Sequence, residues 1–327
     1  MIVTVTPSPS LDLTYVVDAL TDSEVHRARS ATLEASGKGV NVSRALASAG
    51  AATVAVLPVG GATGRQLVEL LEDDDVPCRA VPVGGTTRLN TTVLEPGRTL
   101  KVNAPAPPLT RAEAELLVAA CADALSAGSA GDGTETWLVL CGSLPAGAAP
   151  GLVAALVRTA RAAGARVAVD TSGAALAEAL RCRVDLLSPN VAELAEVDDG
   201  FRAAVGSGGQ DAVAAAASGF AVRTGTALLL SAGAAGATWT DGAQLARAVP
   251  PAVAPVNTAG AGDALLAGFL LAPGRAAERL ARAVSWGTAT CLAPTTVRPD
   301  VATAATGHPP TVTQHPAPTD PSHVLHH

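Results

Sequence analysis

From Trp137 onward the chain alternates two kinds of apolar pattern, and that rhythm restricts the fold more than any other feature. "WLVLCG" has the unbroken apolar run of a buried strand, and "PGLVAALVRTARAAG" has helical periodicity stopped at Gly164. "RVAVD" reads as a strand, "GAALAEALR" as a helix and "VDLLSP" as a strand. "NVAELAEV" opens a short helix capped by Asn190, "DAVAAAASGFAV" is a helix and "ALLLSAG" a strand. "ATWTDGAQLARAV" reads as a hairpin turning at Asp241-Gly242. Near the start, "IVTVT" and "ATVAVLPVGG" are further strands. Strands alternating with helices predict an α/β fold, a mainly parallel sheet covered on both faces.

Two segments break the rhythm. Residues 13–33 and 80–103 are richer in Thr, Val and Arg and alternate, as in "TTVLE" and "TLKVN". They are expected to form a small β-sheet lid beside a main domain spanning residues 1–300. Exposed strands of this kind pair with a second copy, so a homodimer through the lid is expected. Residues 301–327 are rich in Pro, Thr and His without an aliphatic pattern, and a disordered tail is expected.

Composition removes several function classes. A net charge of -7 gives no basic footprint for nucleic acid. No stretch reaches the roughly 18 apolar residues of a membrane helix, and the start lacks the basic and apolar regions of a signal peptide. A cytoplasmic location is expected. Five cysteines without a CxxC spacing read as reduced thiols rather than a disulfide frame or zinc site. Of 22 Lys plus Arg, only Lys38 and Lys101 are lysines, and both fall in segments with binding chemistry.

The richest of these segments is "VNTAGAGDALLAGFLLA", read as a strand "VAPV", a turn "NTAGAG" and a helix. Gly260 and Gly262 let the backbone approach an anion, and the free amides of a helix start favour negative charge. A phosphate fits such a loop. Asp263 would only repel it unless the carboxylate takes a proton, as a base activating a hydroxyl for attack on phosphorus does. Asp also serves as a plain helix N-cap.

In "SGKGVNVSRALASAG", Gly37 and its neighbours make a side-chain-poor loop. There Lys38 and Asn41 can bind a sugar or phosphate, though the spacing is not that of a Walker A loop. Asp12, at a strand end, suits a sugar hydroxyl or a turn. Arg88 and Asn90 in "TTRLNTT", with Lys101 and Asn103 in "TLKVN", would place cationic groups on paired lid strands. Asn190 and Glu193 share a helical face and suit either a water-retaining Mg²⁺ or a capping box. Ser231, Gly233 and Gly236 leave room for a nucleotide at a strand end, or make a tight hairpin turn.

Taken in order, "GKGVNVSRAL" and "NTAGAGDALLAGF" resemble the two signature segments of the ribokinase-like (PfkB) carbohydrate kinase family. The similarity runs from Met1 to about Val297. "TPSPSLD", "EVHRAR", "TRLN", "GSLPAG" and "DTSGAAL" resemble its 1-phosphofructokinase and tagatose-6-phosphate kinase branch. "VLPVGGATGRQLVELLEDDDVP" is also similar to minor 6-phosphofructokinases, which tend to carry glycine where Lys38 stands. The resemblance implies a three-layer α/β/α domain with a β-lid, and ATP-dependent phosphorylation of a sugar phosphate with Mg²⁺. Fructose 1-phosphate is the favoured substrate, and a catalytically silent sugar-phosphate regulator is the contrasting reading.

The same resemblance implies Asp263 as base and the amides of Ala261, Gly262 and Asp263 as an anion hole. Asp12 and Asn41 would hold sugar hydroxyls. Lys38, Arg88, Lys101 and Asn103 would lie near the sugar phosphate, with Ser143 close by. Asn190 and Glu193 would arrange Mg²⁺ and its waters, and Ser231, Gly233 and Gly236 would line the ATP site. Two departures stand out: Ser188 where the branch carries Lys, and Ala104 where the family tends to carry Glu.

Overall fold

The computed structural model describes residues 1–22, 24–128, 135–145, 151–206, 208–297 and 300–317. Its strands, in chain order, are β1 (Ile2–Val5), β2 (Ser10–Val16), β3 (Ser30–Ser36), β4 (Thr53–Val59), β5 (Cys78–Pro82), β6 (Arg88–Glu95), β7 (Arg98–Val102), β8 (Trp137–Cys141), β9 (Arg166–Asp170), β10 (Leu186–Leu187), β11 (Ala227–Ser231), β12 (Ala237–Thr240), β13 (Gln244–Val249) and β14 (Thr311–Pro316). The helices are α1 (Lys38–Ser48), α2 (Gly61–Asp73), α3 (Arg111–Gly128), α4 (Leu152–Ala162), α5 (Gly173–Arg181), α6 (Val191–Val197), α7 (Asp199–Val205), α8 (Gln210–Thr224), α9 (Ala261–Leu270), α10 (Ala276–Cys291) and α11 (Val301–Ala304).

The central strands feed two cores because successive side chains leave opposite faces of a sheet. In β8, Leu138 and Leu140 pack with Leu117 and Leu125 of α3, Leu156 of α4 and Phe220 of α8. Trp137, Val139 and Cys141 of the same strand pack with Leu46 of α1, Phe269 of α9 and Trp286 of α10. A strand buried on both faces must be apolar throughout, which is why these runs were unbroken. Each fully buried Leu contributes about 1.5–3 kcal/mol.

The result is a three-layer α/β/α domain. Its sheet order is β14-β13-β12-β11-β10-β9-β8-β1-β4-β5, parallel from β5 to β11 and antiparallel beyond. The hairpin at Asp241-Gly242 forms as expected. Among the described residues, no helix is long and apolar enough to cross a membrane.

A second sheet, β3-β2-β6-β7, stands beside the domain. Its register puts Asp12 opposite Glu34 and Asn90, and Thr92 opposite Lys101. Directly opposed residues share a face, so one face carries Asp12, Glu34, Asn90 and Lys101. The other carries Leu13, Tyr15, Leu33, Leu89, Leu100 and Val102. The lid is rooted by Leu11 and Ala35, which join Val40 of α1 and Leu67 and Leu71 of α2 in a third core.

Four expectations need correction. The lid does not take in residues 80–82, because β5 joins the main sheet parallel to β4 through α2. Asp12 lies within β2 rather than at a strand end. "VAPV" is not a strand: Pro251 and Pro255 offer no N–H to a ladder. The segment is instead held by the Val256 and Asn257 amides donating to the Cys291 carbonyl. The tail is ordered as far as residue 317. Val301 and Ala305 are buried, and β14 pairs antiparallel with β13 from Val249↔Thr311 to Gln244↔Pro316. β13 is otherwise an open edge, and an unpaired edge is a template for any β-competent segment. Residues 318–327 of that expected tail lie outside the described residues.

Candidate active site

The carboxyl ends of the parallel strands and the first turns of α1 and α9 converge on a cavity of about 270 Å³. Lys38, Asp170, Ser188, Asn190, Glu193, Ser231, Gly260, Gly262, Asp263 and Leu265 line it. Gly260 is the N-cap of α9, with φ 77° and no side-chain cap, so Asp263 is not the cap. Only glycine fits there: a Cβ would also sit 1.9 Å from the Thr296 carbonyl oxygen. A Cβ at Gly262 would meet nothing within 4 Å, so the loop is open on that side. The first-turn amides of residues 261–263 have no acceptor inside their own helix, and that of Ala261 donates to the Thr258 carbonyl of the turn at 3.5 Å.

Asp263 is 6% exposed and its Oδ2 accepts a 2.7 Å hydrogen bond from Asn41 Nδ2. Asn41 is itself buried, and its Oδ1 has no partner among the described residues. Burial, then the charge of Asp170, push the Asp263 carboxyl up to about 7, against the opposing hydrogen bond from Asn41 and the charge of Lys38. The Lys38 ammonium donates to Asp170 Oδ1 at 2.7 Å and lies 3.6 Å from Glu193 Oε1. Burial works against the Lys38 charge, but Asp170, Glu193 and Asp263 outweigh it and raise its pKa above the ordinary lysine value. Burial also raises the Asp170 carboxyl, with Lys38 opposing.

Asp170, at the end of β9, is the residue sequence reasoning missed. The available signal was a charged residue ending an apolar strand, where ligands of a parallel sheet gather. Asn190 and Glu193 do form a capping box: Asn190 Oδ1 accepts from the Glu193 amide, and Glu193 Oε2 accepts from the Asn190 amide. Glu193 Oε1 is left for Lys38 and the cavity.

The lid holds a second network. Asp12 accepts from Ser10 Oγ at 2.8 Å, Asn90 Nδ2 at 2.9 Å and Ser36 Oγ at 2.7 Å. Asn90 Oδ1 accepts from the Ala104 amide, and Arg88 donates to the Ser8 and Ala104 carbonyls. Residue 104 thus acts here through its backbone. Arg88 Nε and Ser8 Oγ are buried without partners among the described residues. Gly37 (φ 118°) starts α1, with Thr6 packed where its Cβ would point. The other expected residues are not brought to the cavity. Lys101, Asn103 and Ser143 are exposed. Gly233 and Gly236 follow β11 without lining it, and a Cβ at Gly236 would lie 2.0 Å from the Ala248 carbonyl oxygen, so the hairpin alone accounts for that glycine.

Fold and cavity define a carbohydrate kinase scaffold, and the profile of the pfkB family carbohydrate kinases matches residues 7–296. The chain belongs to that family. It is 36% identical over 277 residues to the 1-phosphofructokinase of Rhodobacter capsulatus, covering 82% of each chain. It is 32% identical over 281 residues to the ATP-dependent 6-phosphofructokinase isozyme 2 of Escherichia coli, covering 83% of this chain and 84% of the relative. The crystal structure of Escherichia coli phosphofructokinase-2 in complex with substrates and products superposes with a TM-score of 0.82 at 28% identity, covering 94% of this chain and 98% of that one.

Proposed function

We propose that the protein is an ATP-dependent sugar-phosphate kinase of the cytoplasm that converts D-fructose 1-phosphate to fructose 1,6-bisphosphate. One observation carries this reading: a buried carboxylate with a raised pKa sits at the head of a glycine-capped helix, facing a cavity. Such a group is protonatable near neutrality, as a base for an alcohol must be. Asp263 takes the proton of the sugar C6 hydroxyl as the oxygen bonds to the γ-phosphorus and the bond to the ADP oxygen breaks. The amides of residues 261–263 face the charge that gathers on the transferring group. Asn41 holds Asp263, and its Oδ1 would accept from a sugar hydroxyl. Arg88, Asp12 and Asn90 form the lid wall, with Lys101 on the same face.

The residues fit a hydrated divalent cation with ATP. Among the described residues no three His, Cys, Asp or Glu side chains form a metal cage, and Lys38 faces both Asp170 and Glu193 Oε1, so the fit is to a cation that enters with ATP and keeps most of its waters, as Mg²⁺ does. Glu193, Asn190 and Asp170 would hold it, and it would neutralise phosphate charge. Ser231 and Ser188 also line the cavity, and the nucleotide would enter on their side.

Lys38 favours fructose 1-phosphate over fructose 6-phosphate, because minor 6-phosphofructokinases tend to carry glycine there. The similarity to the Escherichia coli 6-phosphofructokinase isozyme keeps that substrate, and tagatose 6-phosphate, as the second reading. The deciding experiment is kcat/KM for the three sugar phosphates in an assay that couples ADP release to a dye. A higher kcat/KM on either 6-phosphate removes the first choice. No ATP consumption on any of them leaves only a sugar-phosphate-binding regulator, a reading that Ser188 and Ala104 favour and that Asp263 with its glycines opposes. The lid's apolar face, with Leu100 42% and Val102 59% exposed, is proposed to meet a second copy.

A further inference from the structure

The lid and the glycine loop touch through one carboxylate that the reaction itself does not use. Glu34 lies on β3 opposite Asp12 and is 5% exposed. Its Oε2 accepts from the Thr296 backbone amide at 3.1 Å, and its Oε1 accepts from Arg44 Nη1 at 3.2 Å. Arg44 is pinned in turn by Asp74 at 2.6 Å and the Ala35 carbonyl at 3.1 Å. Thr296 is the residue whose carbonyl lies against Gly260, the N-cap of the helix that carries Asp263. The segment before it is tied to the same loop, since Asn257 Nδ2 donates to the Pro294 carbonyl. A buried carboxylate is costly unless paired, and Arg44 alone would satisfy the charge. The second oxygen's grip on residue 296 is the part that needs an explanation.

We infer that Glu34 is a positioning residue: it holds residue 296 against Gly260, so the glycine loop takes its working shape when the lid strand is seated. The inference rests on the kinase reading for its effect on turnover, but not for its effect on the loop. Asp12 and Glu34 share a lid face, so whatever draws Asp12 toward a substrate moves Glu34 with it. The lid's state is thereby passed to the backbone amides that face the transferring group.

Two conservative variants separate reach from charge. Glu34→Asp keeps a negative charge beside the long Arg44 side chain, which can follow it, but withdraws the carboxylate by about 1.5 Å from the fixed backbone amide of residue 296. Glu34→Gln keeps the reach and loses the charge. We expect Glu34→Asp to lower kcat by about 10- to 100-fold, the cost of misplacing a catalytic element by a fraction of a bond length. KM for the sugar phosphate should hold, and hydrogen exchange at amides 258–264 should quicken in the substrate-free protein. Glu34→Gln should stay within about threefold of the parent, the worth of a weakened hydrogen bond. The opposite ranking, with Glu34→Asp unchanged and Glu34→Gln impaired, would show that the charge only serves Arg44 and would overturn the proposal. So would unchanged exchange at 258–264 in Glu34→Asp. Exchange is read without substrate, so it decides the point even if the sugar assignment fails.

Discussion

Asp263 carries two opposite demands, and both are measurable. As a base it must be ionised, so kcat/KM should fall about tenfold per pH unit below the raised pKa near 7. Asp263→Ala should keep sugar-phosphate binding and lose turnover by about 10²–10⁴. Near-normal turnover would refute the assigned role. For stability the sign reverses. The folded state keeps the Asp263 proton up to about 7, whereas the unfolded chain releases it near 3.8. Stability is therefore lost as pH rises through that window. Asp263→Asn has no such loss, so its advantage over the parent in chemical denaturation should grow from pH 4 to pH 8, by on the order of 1–3 kcal/mol. A pH-independent difference would mean the carboxyl titrates as an ordinary aspartate. Lys38 is the counterweight. Lys38→Met leaves Asp170 buried without its cation, so the variant's deficit in Tm should be larger at pH 8 than at pH 5. An equal deficit at both would show that Asp170 does not depend on Lys38.

At the level of elements, legibility followed burial. β8, β9 and β11 are buried on both faces, so their apolar runs announced them without any partner in view. α6 was legible through Asn190 and Glu193, whose residue types and spacing suffice for a capping box. α2, α3 and α10 lay outside the expectations, although Leu67 with Leu71, and Leu117, Cys121 and Leu125, repeat at helical spacing. β14 was illegible for a physical reason. Its residues are mostly exposed, and its strand state comes from the edge of β13 rather than from its own pattern. Ending the chain after His308 should reopen that edge. Tm should fall by about 2–4 °C for each kcal/mol lost, while kcat holds, because β12 and β13 stand between β14 and β11, whose Ser231 lines the cavity. An unchanged Tm and no rise in aggregation would mean that β14 contributes nothing to the fold.

Across the whole molecule, the site is an assembly of distant pieces. Lys38 and Asp170 are 132 residues apart, and Asn41 and Asp263 are 222 apart. Motif chemistry could nominate Lys38, Asn41 and Asp263 singly, because glycines mark the loops that carry them. It could not show that Asn41 orients Asp263, or that Lys38 would spend its charge on an aspartate. The same holds for the lid, whose alternation was readable while its two faces were not. Register assigns the polar face to Asp12, Glu34, Asn90 and Lys101, and the apolar face to Leu13, Tyr15, Leu33, Leu89, Leu100 and Val102. The inner end of the apolar face is covered by α2, but Leu89, Leu100 and Val102 remain 40%, 42% and 59% exposed. Every residue of β7 is exposed, and its outer edge has no neighbouring strand among the described residues. An exposed apolar face that ends in an open edge is a pairing surface. The lid should therefore meet its copy, and Leu100→Asp with Val102→Asp should shift sedimentation from dimer to monomer. If each partner steadies the other's lid, KM for the sugar phosphate should rise in the monomer by more than kcat falls. A monomeric parent protein, or a double variant that still sediments as a dimer, would remove the lid from the assembly.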